Sequence, residues 1–381
     1  MNRPETGSSR LLFVDMFRGL MTLIMIEGHV TNTTILPALR TSRPHHYLNL
    51  LNGMVAPGFI FIAGFAIALV LEKKWDSFLR FEKPLWMQTR RLLFILGVAF
   101  WLHLPVWSFR SMLHFSKESF LYFLRCDVLH LISLSLLFII FLAVLMRNKK
   151  AAMWTLFILA LTNVFATPFL YDIEGRDYLP APLSDYINVK HGALFPLFPW
   201  SAFAFFGALV CWIYLKARTS GREKLFFTVI AVSGAIMFVG AFALFYVPWQ
   251  YHTYTDPSRS SPRHFMLKMG FIFLILAFFW WYERMRKPTE SWLNTSGQES
   301  LLVYGFHLII VYGACFTSYC IAKDVGAVLT HVQSFLISLL LISSTVVIAL
   351  VWHAWKKQSP RTAKIFFYAL CAIFFLRFFF W

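Results

Sequence analysis

Runs of about twenty apolar residues recur along this chain and leave it few folds. About eleven can be counted, each near the ~20 residues a helix needs to cross a bilayer. They lie at roughly 11–30, 53–71, 92–107, 128–146, 151–167, 195–215, 225–246, 265–282, 300–322, 334–353 and 364–380. The runs are continuously apolar, whereas strands of a membrane barrel alternate in polarity over ~10 residues. A chain that is 59% hydrophobic and only 14% charged fits the same class. The fold expected is an all-α integral membrane protein, a polytopic bundle of about 11 transmembrane helices forming one domain over residues 1–381.

The net charge of +17 would suit a nucleic-acid binder, but its placement points elsewhere. Basic residues fill alternate loops. Lys73, Lys74, Arg80, Lys83, Arg90 and Arg91 come first, then Arg147, Lys149 and Lys150, then Lys216, Arg218, Arg222 and Lys224. Arg284, Arg286 and Lys287 follow, and Lys356, Lys357, Arg361 and Lys364 close the series. The intervening loops are poorer in cations, and the one holding Asp172, Glu174, Asp177 and Asp185 is net acidic. The positive-inside rule then puts the N-terminus in the cytoplasm and the C-terminus outside. Membrane lipids are the expected surroundings, a bacterial plasma membrane the expected location, and no nucleic-acid partner is expected.

No cleavable leader is expected, because the segment after Arg10 is too charged and too long for one. Cys126, Cys211, Cys315, Cys320 and Cys371 show no metal-ligand spacing and read as small buried hydrophobes, so no metal is expected. The 43 phenylalanines, including those of the tail to Trp381, read as lipid-facing surface.

The first run carries ionisable groups that hydrocarbon disfavours by at least ~2.5–3.5 kcal/mol each, which makes it a candidate functional helix. Arg18 and His29 are eleven residues apart and return to nearly the same helical face, separated by about 16 Å along the axis. Asp15 lies a turn below Arg18 on that face, while Glu27 points nearly the other way. Acid, cation and imidazole thus share one stripe, with a phosphate clamp at one end and a base at the other.

Other constellations carry two readings each. Pro57 and Gly58 suit a helix start, and Gly58, Ala63 and Gly64 suit close helix packing or a cofactor groove. Arg90-Arg91 is an interfacial anchor or a grip on an anionic cofactor. Asp127 and His130, at i and i+3, cap a helix or form a pair in which the acid orients the imidazole. His307 is a satisfied structural histidine or a site residue, and His103 is a weaker case of the same kind. Trp200, after Pro196 and Pro199, is an interface anchor or a substrate-facing ring.

Asp15-x-x-Arg18-Gly19 with His29 resembles the first helix of membrane acyltransferases, where Arg and His have ten residues between them. Asp127-Val-Leu-His130, Phe195-Pro-Leu-Phe-Pro-Trp200 followed by Gly207, and Ser300-Leu-Leu-Val-Tyr-Gly-Phe-His307 narrow this. Together they look like the heparan-α-glucosaminide N-acetyltransferase-like family. The resemblance implies an acetyl group moved from cytoplasmic acetyl-CoA to a sugar or other small acceptor on the far side. His29 is then expected as base or acetyl carrier, with Asp15 at the catalytic helix holding Arg18 in place, and Arg18, Arg90, Arg91 and His307 are expected on the coenzyme. Asp127, His130 and Trp200 would then line the acceptor pocket. In the lysosomal branch an Asn stands at the position of His29 and the catalytic His follows the first helix, which here makes His45 or His46 the second choice. The other reading is a proton- or solute-coupled transporter, since intramembrane Asp, Arg and His also build proton relays.

Overall fold

The computed structural model describes residues 10–104, 106, 108–247, 257–286, 291–313 and 319–380. Lys287, Cys315 and Trp381 lie outside them. The described residues form helices, no strand, and one isolated parallel bridge between Ile35 and Leu329. In hydrocarbon every backbone N–H and C=O must be satisfied within the chain, and a helix does this locally.

In chain order the helices are α1 (Leu12–Thr34), α2 (Arg43–Asn52), α3 (Val55–Leu79), α4 (Lys83–Leu102), α5 (Phe109–Met112) and α6 (Lys117–Phe123). Then come α7 (Val128–Met146), α8 (Lys149–Asp172), α9 (Ala181–Asp185), α10 (Leu197–Thr219), α11 (Glu223–Phe245) and α12 (Pro257–Ser260). The last are α13 (Pro262–Arg286), α14 (Trp292–Gln298), α15 (Ser300–Tyr312), α16 (Ile321–Asp324), α17 (His331–Gln358) and α18 (Pro360–Phe380). Among the described residues nine helical stretches are long and apolar enough to cross a membrane: α2–α3 together, α4, α7, α8, α10, α11, α13, α17 and α18. Two of the runs expected to span are missing from that set. α15 is short, at 13 residues, and α1, though 23 residues long, carries the four ionisable side chains.

The chain divides into two compact units. Among the described residues, the first comprises those within 10–52, 275–312 and 319–359; the second comprises those within 53–274, 313 and 360–380. In the first, α1 packs against α14, α15 and α17. Ile26 and Val30 of α1 meet Val303 and Val311 of α15 and Leu341 and Ala349 of α17 in a buried cluster. At its other end α1 lies backbone to backbone on α14. A β-carbon on Gly19 would strike the Leu293 carbonyl, and one on Gly297 the Asp15 carbonyl. Small residues are what permit such an approach between membrane helices.

In the second unit α3 and α10 make the closest pair. A β-carbon on Gly64 would collide with the Ala204 carbonyl, and one on Gly207 with that of Phe61. α8 fixes the start of α10, since the Tyr171 hydroxyl donates to the Phe198 carbonyl (2.7 Å) and Asn163 Nδ2 donates to Ser201 Oγ (3.0 Å). α4 and α18 meet through Phe94–Phe367 and Trp101–Phe374 ring contacts. α18 leaves Phe366, Phe375 and Phe380 exposed, as a lipid-facing helix does.

Candidate functional site

In the first unit, α1 and α15 bring the sequence's polar residues together in two tiers. At the lower tier Arg18 is half-buried and its NH2 donates to Ser300 Oγ at 2.7 Å. Asp15 is buried and pairs with Arg10 Nε at 2.8 Å. Three turns higher, His29 lies 5.2 Å from His307, ring centroid to centroid, and its Nδ1 is 2.9 Å from the Tyr312 hydroxyl. His307 is fully buried, and its Nδ1–H donates to the Val303 carbonyl at 2.9 Å. That bond fixes the tautomer of the neutral ring and leaves a lone pair on Nε2, which has no partner among the described residues. Glu27 turns from this stripe, as expected, and its Oε1 accepts from Thr31 Oγ1 at 2.6 Å.

Ser300 and Tyr312 are contributors that sequence reasoning missed. Both flank His307 on α15, but the period that puts them on its α1-facing side is masked by an unbroken apolar run.

His45 and His46 sit in helix α2 and not in a loop. His45 is buried, its ring centroid 6.1 Å from that of His331. His331 Nε2 in turn lies 3.0 Å from Ser42 Oγ, whose own proton goes to the Leu39 carbonyl. His46 is exposed beside Tyr47. Of the two, only His45 is in a polar, water-poor setting.

In the second unit, Asp127 takes both roles the sequence allowed, but with a different imidazole. It caps α7, its Oδ1 accepting from the Val128 N–H at 2.6 Å. Its Oδ2 accepts from His103 Nε2 at 3.2 Å. His130 closes the capping box from the other side, its Nδ1 accepting the Asp127 N–H at 3.4 Å. The acid orients His103, the weaker candidate, and the expected polarising pair with His130 is replaced by a backbone contact. An i, i+3 spacing on one helix could not show a residue arriving from the end of α4.

Trp200 is buried at the start of α10, with Phe195 edge-on at 4.9 Å and Lys268 Nζ 4.7 Å above the ring. One face of the indole is therefore covered. Arg90 and Arg91 are exposed on α4. Among the described residues no group of three or more His, Cys, Asp or Glu side chains could hold a metal ion.

No curated protein matches the sequence. The family model described as heparan-alpha-glucosaminide N-acetyltransferase, catalytic, matches residues 10–251, more than half of the chain. That stretch covers Asp15, Arg18, His29, the Asp127–His130 cap and the segment from Phe195 to Gly207, while His307 lies beyond it. The chain belongs to the heparan-alpha-glucosaminide N-acetyltransferase catalytic-domain family, a family of acetyltransferases, and its many apolar helices make it a multi-pass membrane member.

Proposed function

We propose that this protein is a transmembrane acetyltransferase working as one domain, moving an acetyl group from cytoplasmic acetyl-CoA to a sugar amine or hydroxyl on the far side. The observation that carries this reading is the two-tiered stripe on α1. Arg18 stands at one end and His29, against His307 and Tyr312, at the other.

The groups present suit the donor. Arg18, anchored on Ser300, offers a guanidinium fork of the kind that matches phosphate oxygens, and the exposed Arg90 and Arg91 offer more cationic charge. His307 presents an unpartnered lone pair in a dry setting and would sit beside the pantetheine arm or the thioester. With Nδ1–H donated to the Tyr312 oxygen, His29 keeps the lone pair at Nε2. From there it takes the proton of the attacking amine or hydroxyl as the acetyl carbonyl is attacked. The coenzyme leaves as a thiol. Acetyl carried on His29 itself is the two-step form of the same chemistry. Asp15, buried at the foot of α1, supports the Arg18 end, and Asp127, His130 and Trp200 belong to the acceptor side.

The test begins with coenzyme A binding. A ligand that binds only the folded protein raises its melting temperature. Coenzyme A is expected to stabilise the detergent-purified protein, and Arg18→Ala to weaken this at least tenfold. Arg18→Lys should recover only part, since a point charge does not reproduce the fork. Unchanged affinity in a folded Arg18→Ala variant removes Arg18 from the role. No stabilisation of the wild type removes the acetyltransferase reading and leaves the transporter.

A further inference from the structure

His103 has no place in the reading above, yet it is buried against Asp127 and stands at the centre of a polar cluster in the second unit. Its hydrogen-bonding state follows from its neighbours. An ionised carboxylate only accepts, so the nitrogen facing Asp127, Nε2, carries the proton of neutral His103. The lone pair is then on Nδ1, which is buried and has no partner among the described residues. His130 is set the opposite way. Its Nδ1 accepts the Asp127 N–H, so its proton is on Nε2, also buried and also without a described partner.

One bare acceptor and one bare donor therefore remain, on rings whose centroids are 5.3 Å apart at 73°. Buried polar atoms in folded proteins are nearly always paired, so two unpaired atoms in one dyad call for a ligand or water. Arg125 adds a third unpartnered buried donor at Nε, and its guanidinium lies 5.3 Å over the Tyr122 ring. Tyr122 stacks on His103 at 5.7 Å and 19°, Phe100 meets His130 edge-on at 4.5 Å, and Tyr186 lies 6.4 Å from His130. The nearby Cys126 thiol is already committed to the Phe195 carbonyl.

We propose that His103, Asp127 and His130 form a recognition site for a hydroxyl group of an uncharged sugar. A hydroxyl both donates and accepts, so its chemistry suits both the acceptor at His103 Nδ1 and the donor at His130 Nε2. A carboxylate would set its lone pairs against that of His103, and an ammonium would set its protons against that of His130. The half-exposed Tyr122 ring borders the dyad, in contact with both His103 and the Arg125 guanidinium. The site rests on the acetyltransferase reading only for what is then done with the hydroxyl, so binding is measured apart from transfer.

The experiment uses the full chain in detergent at pH 7 and measures the affinity of three probes by calorimetry. They are methyl β-glucoside, the glucuronide with a carboxylate at its last carbon, and the glucosaminide in its ammonium form. The neutral glucoside is expected to bind at least tenfold tighter than either charged probe. His103→Phe should weaken glucoside binding at least tenfold in protein that still melts cooperatively, at a lower melting temperature because Asp127 Oδ2 loses its donor. His103→Gln, whose amide can both donate and accept, should fall between the two. Equal affinity for the three probes, no glucoside binding, or wild-type affinity in His103→Phe each overturns the proposal. If His103→Phe does not fold, His103→Gln decides, and unaltered glucoside affinity there overturns it as well. Coenzyme A stabilisation is measured in parallel. Its loss in wild type with glucoside binding intact would sink the acetyltransferase reading and leave this site standing.

Discussion

At the scale of single residues, the structure turns one sequence motif into a chain of dependencies. His29 was legible from its eleven-residue spacing to Arg18, because a helix returns to the same face at that interval. What sets the proton on His29 was not legible, because Tyr312 comes from another helix. Tyr312 stands 2.9 Å from Nδ1, and in the tautomer whose Nδ1–H donates to its oxygen, Nε2 holds the lone pair that the proposed base needs. His29→Ala is therefore expected to lower acetyl transfer by about 10²–10⁴-fold while coenzyme A still binds. Tyr312→Phe should cost up to about tenfold, the worth of one neutral hydrogen bond, and should alter the pH profile of kcat. If His45→Ala abolishes turnover and His29→Ala spares it, the base is in the α2 pocket beside His331. Steady-state transfer to a small sugar across pH separates these outcomes.

At the scale of elements, the two close helix contacts give the clearest physical account of why these glycines stand where they do. Gly64 was expected to allow close packing, and Gly207 was visible only as part of a motif. The structure makes them reciprocal, each seated on the other helix's backbone carbonyl. No side chain can rotate away from a carbonyl of a neighbouring helix, so the helices themselves must part. Gly64→Val and Gly207→Val are each expected to destabilise by about 1–3 kcal/mol or more, read as a lower melting temperature. A folded variant melting like wild type would show that α3 and α10 give way freely. The connection between α8 and α10 makes a different forecast. There the Glu174 carboxylate accepts from His191 Nε2 at 2.7 Å, and that hydrogen bond, with the Arg176 N–H, holds its pKa below the usual glutamate range. A carboxyl whose pKa is lowered by folding stabilises the fold above its unfolded value and loses that contribution as pH falls through the folded one. The melting temperatures of wild type and His191→Ala should differ at neutral pH and converge below the ordinary carboxylate range. A gap that persists at acid pH would assign the difference to packing.

At the scale of the whole molecule, composition points to an all-helical membrane protein, and the apolar runs at 11–30 and 300–322 lie where α1 and α15 form. α1 and α15 fall outside the nine apolar stretches because one is charged and the other short, at about 20 Å. We expect both to cross, and for α15 charge placement supports this. Were α15 not to cross, Arg284 and Arg286 at the end of α13 would face the opposite side from Lys356, Lys357, Arg361 and Lys364, against the positive-inside rule. Contacts within the first unit support the crossing independently. Glu299, just before α15, accepts from Lys356 Nζ at 2.6 Å and lies 2.9 Å from His353 Nδ1, both near the end of α17. The Phe13 N–H at the start of α1 donates to Glu283 near the end of α13, and at the far ends Ile35 pairs with Leu329. Starts and ends thus alternate as they must if α1, α15 and α17 each traverse the layer. A cysteine-free variant carrying single substitutions reads this out in intact cells. Val328→Cys should react with a membrane-impermeant maleimide, and Gln358→Cys only after permeabilisation. Equal labelling of the two would show that α17 does not cross. The reverse pattern would invert the orientation, placing Arg18 on the side where acetyl-CoA is absent.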